Sequence, residues 1–195
     1  MNVGEAVEAR RAYRSFEPVE VTDDLIHKLT RAATLAPSCF NNQPWRYVFV
    51  RSKDQLGRVF ATLTKGNQWA EKASMVIAVF STPELDCVIK DRSFFWFDTG
   101  MATAALILRA TELGLVAHPI AGFRPDEVRT VLGIPETMQV LALVIVGKHA
   151  ATPNPILSEK QLHDEMERPQ RLPDERVAFI DSVPAGAPVA EPIPH

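Results

Sequence analysis

One segment constrains the fold more than any other, the run DTGMATAALILRATELGL at residues 98–115. Small and apolar side chains occupy most of its circumference, and Arg109 and Glu112 come near its end. The pattern predicts a helix over about 97–113, which Gly114 ends. Because a helix that is apolar on nearly every side must be buried on nearly every side, we expect a subunit interface to cover part of it.

Composition excludes several classes of function. The chain has 195 residues, of which 46% are hydrophobic and 23% are charged, the balance of one globular domain. A net charge of −3 indicates neither a nucleic-acid-binding protein nor one that binds anionic membranes. The N-terminal residues lack the apolar core of a signal peptide, and the longest apolar stretch is too short to span a bilayer, so we expect a cytoplasmic protein.

Cysteine and histidine usage argues against a disulfide framework and against a metal site. Cys39 and Cys87 are the only cysteines, and no C-x-x-C motif is present. We therefore expect no disulfide framework and treat Cys39 as a free thiol. The stretch HDEME, residues 163–167, matches no defined ligand spacing and is typical of a solvated helix.

Apolar periodicity predicts helices and strands in alternation. Helices are expected over 3–15, 23–36, 53–64 and 125–133, the second capped by Thr22 or Asp23, and strands over 46–50, 74–82 and 139–149. This order indicates an α/β or α+β sandwich in one domain over 1–176. Residues 177–195 form a proline-rich extension, and RVAFI at 176–180 is the one strand-like pattern near it, which could supply a missing sheet edge.

Arginines cluster in two parts of the chain. In a helix, Arg10, Arg11 and Arg14 would lie within one arc of the surface, where three guanidinium groups suit a phosphate. Arg168 and Arg171, in ERPQRLP, form a second basic patch. The alternative for both groups is a set of solvated cations, the usual role of a charge run.

Two connecting segments have the composition of binding loops. LAPSCFNNQPW, residues 35–45, offers amide donors and acceptors that suit a heteroaromatic ring, and Trp45 would anchor it in the core. AHPIAGF, residues 117–123, would allow backbone N–H groups to approach a ligand closely. Each segment is also consistent with an ordinary connection. We expect the aromatic run Phe94 to Phe97 to pack in the core, the alternative being that it overhangs a cleft.

The order of these motifs resembles the FMN-dependent nitroreductase family. RRAYRSF, APSCFNNQPW, GNQW, DTGMATA, PIAGF, LGIP, VGK and RPQRLP follow one another between about Arg10 and Arg176. The resemblance implies an α+β nitroreductase-like fold, in which helices flank a central mixed or antiparallel β-sheet. It also implies an intertwined homodimer with a C-terminal arm, and FMN as the cofactor.

The resemblance also implies which residues contact FMN. The arginines and Asn67 would hold its phosphate, its ribityl chain and the polar edge of its ring, and the loop at 37–41 would reach the partner subunit's FMN. PIAGF would lie beside the reactive centre, with the Ala121 N–H near the flavin N5. The implied set is Arg10, Arg11, Ala12 (through its backbone), Arg14, Pro37, Ser38, Cys39, Asn41, Asn67, Pro119, Ile120, Ala121, Gly122, Arg168 and Arg171.

The implied function is that of an oxidoreductase whose cofactor carries the chemistry, so no catalytic side chain is predicted. NADH or NADPH would reduce the flavin and leave, and a small nitroaromatic, quinone or activated alkene would then bind at the same cleft. No G-x-G-x-x-G motif is present, which is consistent with a nicotinamide bound without a Rossmann domain. The alternatives are other flavin chemistry, such as dehalogenation or flavin fragmentation, and a flavin-binding protein without turnover.

Overall fold

The structure is a computed structural model and describes residues 1–187. Its helices and strands follow in chain order as α1 (Val3–Ala9), β1 (Phe16–Glu17), α2 (Asp23–Thr34), β2 (Arg46–Val50), α3 (Lys53–Phe60), β3 (Met75–Ser81), β4 (Val88–Ile89), β5 (Arg92–Ser93), α4 (Phe95–Glu112), β6 (Val116–Ile120), α5 (Pro125–Leu132), β7 (Gln139–His149) and α6 (Glu159–Met166). Short 3₁₀ turns lie at Cys39–Asn41, Gln68–Lys72, Pro83–Leu85 and Asp174–Arg176.

A five-stranded sheet forms the centre, and every pairing in it is antiparallel. Strand β7 pairs with β3, with β6 and, at its C-terminal end, with β1. Strand β2 pairs with the other side of β3. Strands β4 and β5 form a separate hairpin just before α4.

The sheet is buried on both faces because its central strands, β3 and β7, are apolar along their middle positions. All seven residues of β3 are buried. Met75 and Ile77 face a cluster with Leu29 of α2 and Leu106 of α4, whereas Val76 faces the opposite cluster. Helices therefore cover the sheet on both sides, and the alternation of side chains along β3 divides the core into two layers.

The rest of the chain covers only one side of helix α4. Ala102 and Leu106 are fully buried, whereas Trp96 and Phe97 are 53% and 64% exposed. Of the aromatic run expected in the core, Phe95 is buried and Trp96 and Phe97 are not. The all-round burial that the sequence of α4 predicts is therefore incomplete within one chain.

Three predicted elements are wrong in the structure. The first helix ends at Ala9 instead of continuing to Ser15, because Arg10 is already extended at φ −60° and ψ 120°. AHPIAGF is not wholly a connection, since its first four residues belong to β6, an edge strand that accommodates Pro119. RVAFI is not a strand: its first residue ends a 3₁₀ turn, and the rest has no regular structure.

The C-terminal extension predicted over 177–195 is described only as far as residue 187, and its remaining part, 188–195, lies outside the described residues. Within the described part, Val177 and Ile180 are exposed. None of the helices in residues 1–187 combines the length and the apolar character needed to cross a bilayer.

Candidate functional site

A small pocket, which we call the arginine pocket, lies where the chain leaves α1 and where it leaves α6. Its lining residues are Arg10, Arg11, Ala12, Arg14, Asp164, Arg168, Pro169 and Arg171. The predicted basic residues therefore do converge, although they do so from an extended segment and not from one face of a helix. Asp164 is the one carboxylate of the lining, and it pairs with Arg14 at 3.9 Å.

The arginines are held mainly by neutral backbone carbonyls. Arg11 donates to the carbonyls of Asp164 at 3.1 Å and Glu165 at 3.4 Å, and Arg168 donates to the carbonyl of Arg10 at 3.2 Å. Burial lowers the pKa of Arg10, and the neighbouring Arg168, Arg171 and Arg11 lower it further. The pocket thus concentrates positive charge that its own residues leave largely uncompensated, which favours an anionic ligand.

A buried carboxylate fixes the extended arginine segment. Glu165 of α6, which is 4% exposed, accepts the backbone N–H of Arg14 at 2.7 Å and that of Ser15 at 3.0 Å. His149 of β7 also lies 3.4 Å from this carboxylate. All of HDEME except its last residue lies in α6, as predicted, but Glu165 is not solvated, so that part of the prediction is wrong.

His118 links the arginine segment to β6. Its Nδ1 lies 3.0 Å from the carbonyl of Tyr13, and its ring stacks on Trp69 with centroids 4.7 Å apart. Burial lowers the pKa of His118 to about 4, and the hydrogen bond to Tyr13 opposes this effect. The imidazole is therefore neutral at pH 7, and Nδ1 donates its proton to the carbonyl.

Asn67 and Gly122 form the part of the site next to β6. The Asn67 side chain donates to the Gly122 carbonyl at 3.2 Å, and the Thr64 N–H donates to the same oxygen at 3.0 Å. A Cβ at Gly122 would lie 2.0 Å from Asn67 Nδ2, so this position excludes any larger residue without displacing Asn67. Pro119 and Ala121, on either side of buried Ile120, are exposed.

The segment at 37–43 lies against the start of α4 and the turn before β4; we call it the Cys39 loop. Cys39 forms a disulfide with Cys87, so the expectation of a free thiol is wrong. The Cys39 N–H donates to Asp98 Oδ2 at 2.6 Å, and Trp45, which is 5% exposed, anchors the following strand as predicted. Burial raises the pKa of Asp98, the Cys39 N–H lowers it, and the adjacent Asp86 carboxyl raises it again.

The structure brings the predicted site residues together in two groups. The arginines, Ala12, Asn67 and the 119–122 segment are connected through Tyr13, His118 and Trp69. Pro37, Ser38, Cys39 and Asn41 belong instead to the Cys39 loop, whose disulfide and carboxylate contacts lead to the start of α4. An apolar cavity of about 310 Å³, lined by Trp96, Gly100, Pro119 and their neighbours, lies along α4.

Comparison with known proteins identifies the class. The Nitroreductase family profile matches residues 7–148. A protein of Archaeoglobus fulgidus with the provisional name NADH dehydrogenase/NAD(P)H nitroreductase is 33% identical over 143 residues, which cover 71% of this chain and 80% of that protein. An NADH dehydrogenase of Thermus thermophilus is 28% identical over 169 residues, which cover 71% of this chain and 82% of that protein.

Solved structures show the same fold. A crystal structure described as an oxidoreductase containing FMN superposes with a TM-score of 0.79 at 29% identity and covers 93% of each chain. A nitroreductase family protein of Clostridium difficile, at 20% identity, superposes with a TM-score of 0.76 over 94% of this chain and all of that one. The chain therefore belongs to the nitroreductase family, and the predicted family and α+β nitroreductase-like fold are confirmed.

Proposed function

We propose that this protein is an FMN-dependent oxidoreductase that passes reducing equivalents from NADH or NADPH to a small electrophile such as a nitroaromatic, a quinone or an activated alkene. The observation that carries the proposal is the arginine pocket, where five arginines converge beside one carboxylate. The family and the relatives named for NADH or NAD(P)H support the same conclusion.

The donors of the arginine pocket fit the phosphate of FMN. Phosphate carries about −1.5 to −2 charges near neutral pH and accepts several hydrogen bonds. Arg10 forms no ion pair within residues 1–187; burial lowers its pKa, and repulsion from Arg168, Arg171 and Arg11 lowers it further. An anion between Arg10, Arg168 and Arg171 would relieve this repulsion, and the pocket's volume of about 70 Å³ suits a phosphate group and not a ring.

The segments beside the arginine pocket have the properties that a flat ring needs. The Asn67 side chain donates to the Gly122 carbonyl, and the absent Cβ of Gly122 leaves the space that the Asn67 amide occupies, so the two residues fix each other's position. Exposed Pro119 and Ala121 would then border the ring, and the Ala121 N–H would face its edge. When bound, FMN supplies the redox chemistry, while the protein binds, orients and excludes water from it.

We further propose that the site is completed by a second subunit. The outer face of α4 leaves Trp96 and Phe97 largely exposed, and apolar residues of this helix line the adjacent cavity. The Cys39 loop, which lies at the start of the same helix, would then border the partner subunit's FMN. Exposed apolar patches of this kind are characteristic of subunit interfaces.

The phosphate role is tested with FMN and riboflavin, which differ only in the phosphate. Arg10→Ala is expected to weaken FMN binding by about 10- to 100-fold, because one charge-assisted hydrogen bond is worth about 1.5–3 kcal/mol. Riboflavin binding should change little. Flavin fluorescence titration measures both affinities, and the exposed Arg31 of α2, changed to Ala, is the matched control.

Two outcomes contradict the proposal. Equal weakening of FMN and riboflavin would remove the phosphate from the arginine pocket, since only FMN carries that group. Protein that binds FMN but is not bleached anaerobically by NADH or NADPH would be a flavin-binding protein and not an oxidoreductase. After bleaching, a panel of nitroaromatics, quinones and activated alkenes that restores the oxidised spectrum identifies the acceptor class.

A further inference from the structure

The most unusual cluster outside the arginine pocket lies under the Cys39 loop. Cys39, Asp86 and Cys87 place two sulfur atoms and a carboxylate oxygen within 4.8 Å of one another. The Cα atoms of the two cysteines are 6.1 Å apart. All three residues are half-buried, so the cluster is partly desolvated but still reachable from solvent.

One carboxylate oxygen of Asp86 accepts backbone and side-chain N–H groups, and the other does not. Oδ1 accepts the N–H of Cys87 at 2.8 Å and lies 3.4 Å from the side-chain amide of Asn42. Oδ2 is buried and accepts no N–H or hydroxyl group of the described residues, while the Asp86 carboxyl meets that of Asp98, with which it can hydrogen-bond only through a shared proton. A buried carboxylate oxygen without a donor costs free energy, and either that shared proton or a bound cation removes this cost.

The surroundings supply negative charge without a compensating cation. Asp98, which is 2% exposed, accepts the Cys39 N–H and lies beside Asp86. Within residues 1–187, neither Asp86 nor Asp98 pairs with a lysine, arginine or histidine. The Asp98 contact also fixes the backbone of Cys39, as outer-shell hydrogen bonds do around protein metal sites.

We propose that the dithiol form of this cluster is a binding site for Zn²⁺, with Cys39, Cys87 and Asp86 as ligands and solvent at the fourth position. Two thiolates and one carboxylate are a donor set that zinc accepts, and three protein ligands with an open position make an ordinary zinc geometry. The disulfide and the zinc site are then alternative ways to tie the Cys39 loop to the turn before β4. This inference does not depend on FMN binding.

The interconversion balances with a named reductant. A water-soluble phosphine breaks the S–S bond, gives two thiols, and is itself oxidised to the phosphine oxide with oxygen from water. Zn²⁺ then forms two Zn–S bonds and displaces the two thiol protons to solvent. Oxidation back to the disulfide by an added small-molecule disulfide, which accepts the two electrons and is reduced to two thiols with protons from solvent, requires loss of the metal, because both sulfur atoms are needed for either linkage.

The test uses the full chain, reduced with phosphine, desalted without oxygen and shown by thiol titration to carry two free thiols. Zn²⁺ is titrated against a chromophoric chelator, and Co²⁺ is added in parallel as a spectroscopic probe. We expect one metal ion per chain and tetrahedral Co²⁺ bands in the red, where oxidised flavin does not absorb. The disulfide form should bind neither ion at this site.

Variants locate the site. Cys87→Ser and Asp86→Asn should each weaken Zn²⁺ binding by at least about 10-fold, since even outer-shell partners of a metal contribute about 10- to 100-fold. Asp91→Asn, an exposed aspartate in the adjacent hairpin, should bind as the unchanged chain does. Circular dichroism verifies that each variant is folded. If Cys87→Ser does not fold, Asp86→Asn still tests the site, because it keeps both sulfur atoms.

Three results would overturn the inference: a reduced chain with two thiols that binds no Zn²⁺, a disulfide that phosphine does not reduce in the folded protein, and Zn²⁺ binding that persists in both Cys87→Ser and Asp86→Asn. The last result would place the metal elsewhere on the chain. FMN affinity is measured separately, so failure of the zinc site leaves the proposed oxidoreductase function standing.

Discussion

The arginine pocket and the Cys39 loop are both built from irregular segments, but different interactions hold the two segments in place. Arg11 and Arg168 donate to backbone carbonyls, so most of their charge remains available to an anion. In the Cys39 loop a disulfide does the holding, and Asp98 accepts a backbone N–H while remaining without a cation. This difference in charge is why we propose an anionic ligand for the pocket and a cation for the reduced loop.

Removing the disulfide that holds the Cys39 loop should lower the stability of the chain more than any change on the arginine side. The disulfide joins residues 48 positions apart, for which the loss of loop-closure entropy on cross-linking predicts about 4 kcal/mol of stability. Cys87→Ser should therefore lower the free energy of unfolding by up to about 4 kcal/mol, as measured by urea denaturation under oxidising conditions. Reductant should lower the stability of the unchanged chain similarly and leave the variant unaffected; a reductant-independent stability would contradict the role of the bond.

Removing the buried carboxylate should have the next largest effect, on the arginine side. Glu165→Ala leaves the N–H groups of Arg14 and Ser15 without their acceptor, which costs about 3 kcal/mol or more of stability. Thermal unfolding measures the loss, and FMN affinity should fall with it because the arginine segment is no longer fixed. Glu167→Ala, one residue beyond α6 with a side chain 74% exposed, is the control; equal losses in the two variants would refute the positioning role.

Protonation of His118 should have the smallest effect on stability, and it should act within a defined pH range. Because burial lowers its pKa from 6.5 to about 4, the unfolded chain binds more protons than the folded chain between these values. The stability that His118 contributes is complete above pH 6.5 and declines as the pH falls towards 4, by about 2 kcal/mol at pH 5. Urea titrations at pH 7 and pH 5 measure this decline.

His118→Gln should lose that part of the pH dependence, whereas His27→Gln, at an exposed position of α2, should keep it. An unchanged difference between pH 7 and pH 5 in His118→Gln would show that His118 is not the group responsible. The His118→Gln result reports on the arginine side alone, because the Cys39 loop contains no histidine.

The local sequence pattern was sufficient to predict most of the helices and strands. Strands β2, β3 and β7 were predicted because continuous apolar runs bounded by turns indicate buried strands, and α2 begins after Thr22 as its cap predicts. The motif order was sufficient for the family as well. Strand β6 was missed because Pro119 and the following glycine are typical of a connection, and only its pairing with β7 makes the segment a strand.

The sequence predicts residues of both regions as a site, but it does not predict how they are arranged. Amino-acid order alone determined the helix-strand alternation, the basic residues that would gather and the family, because periodicity, charge and motif spacing are properties of the chain itself. Tertiary structure alone decided that α1 ends at Ala9, that Glu165 is buried and that Cys39 bonds Cys87. Each of these depends on partners 48 or more residues away, and no local pattern encodes such a contact.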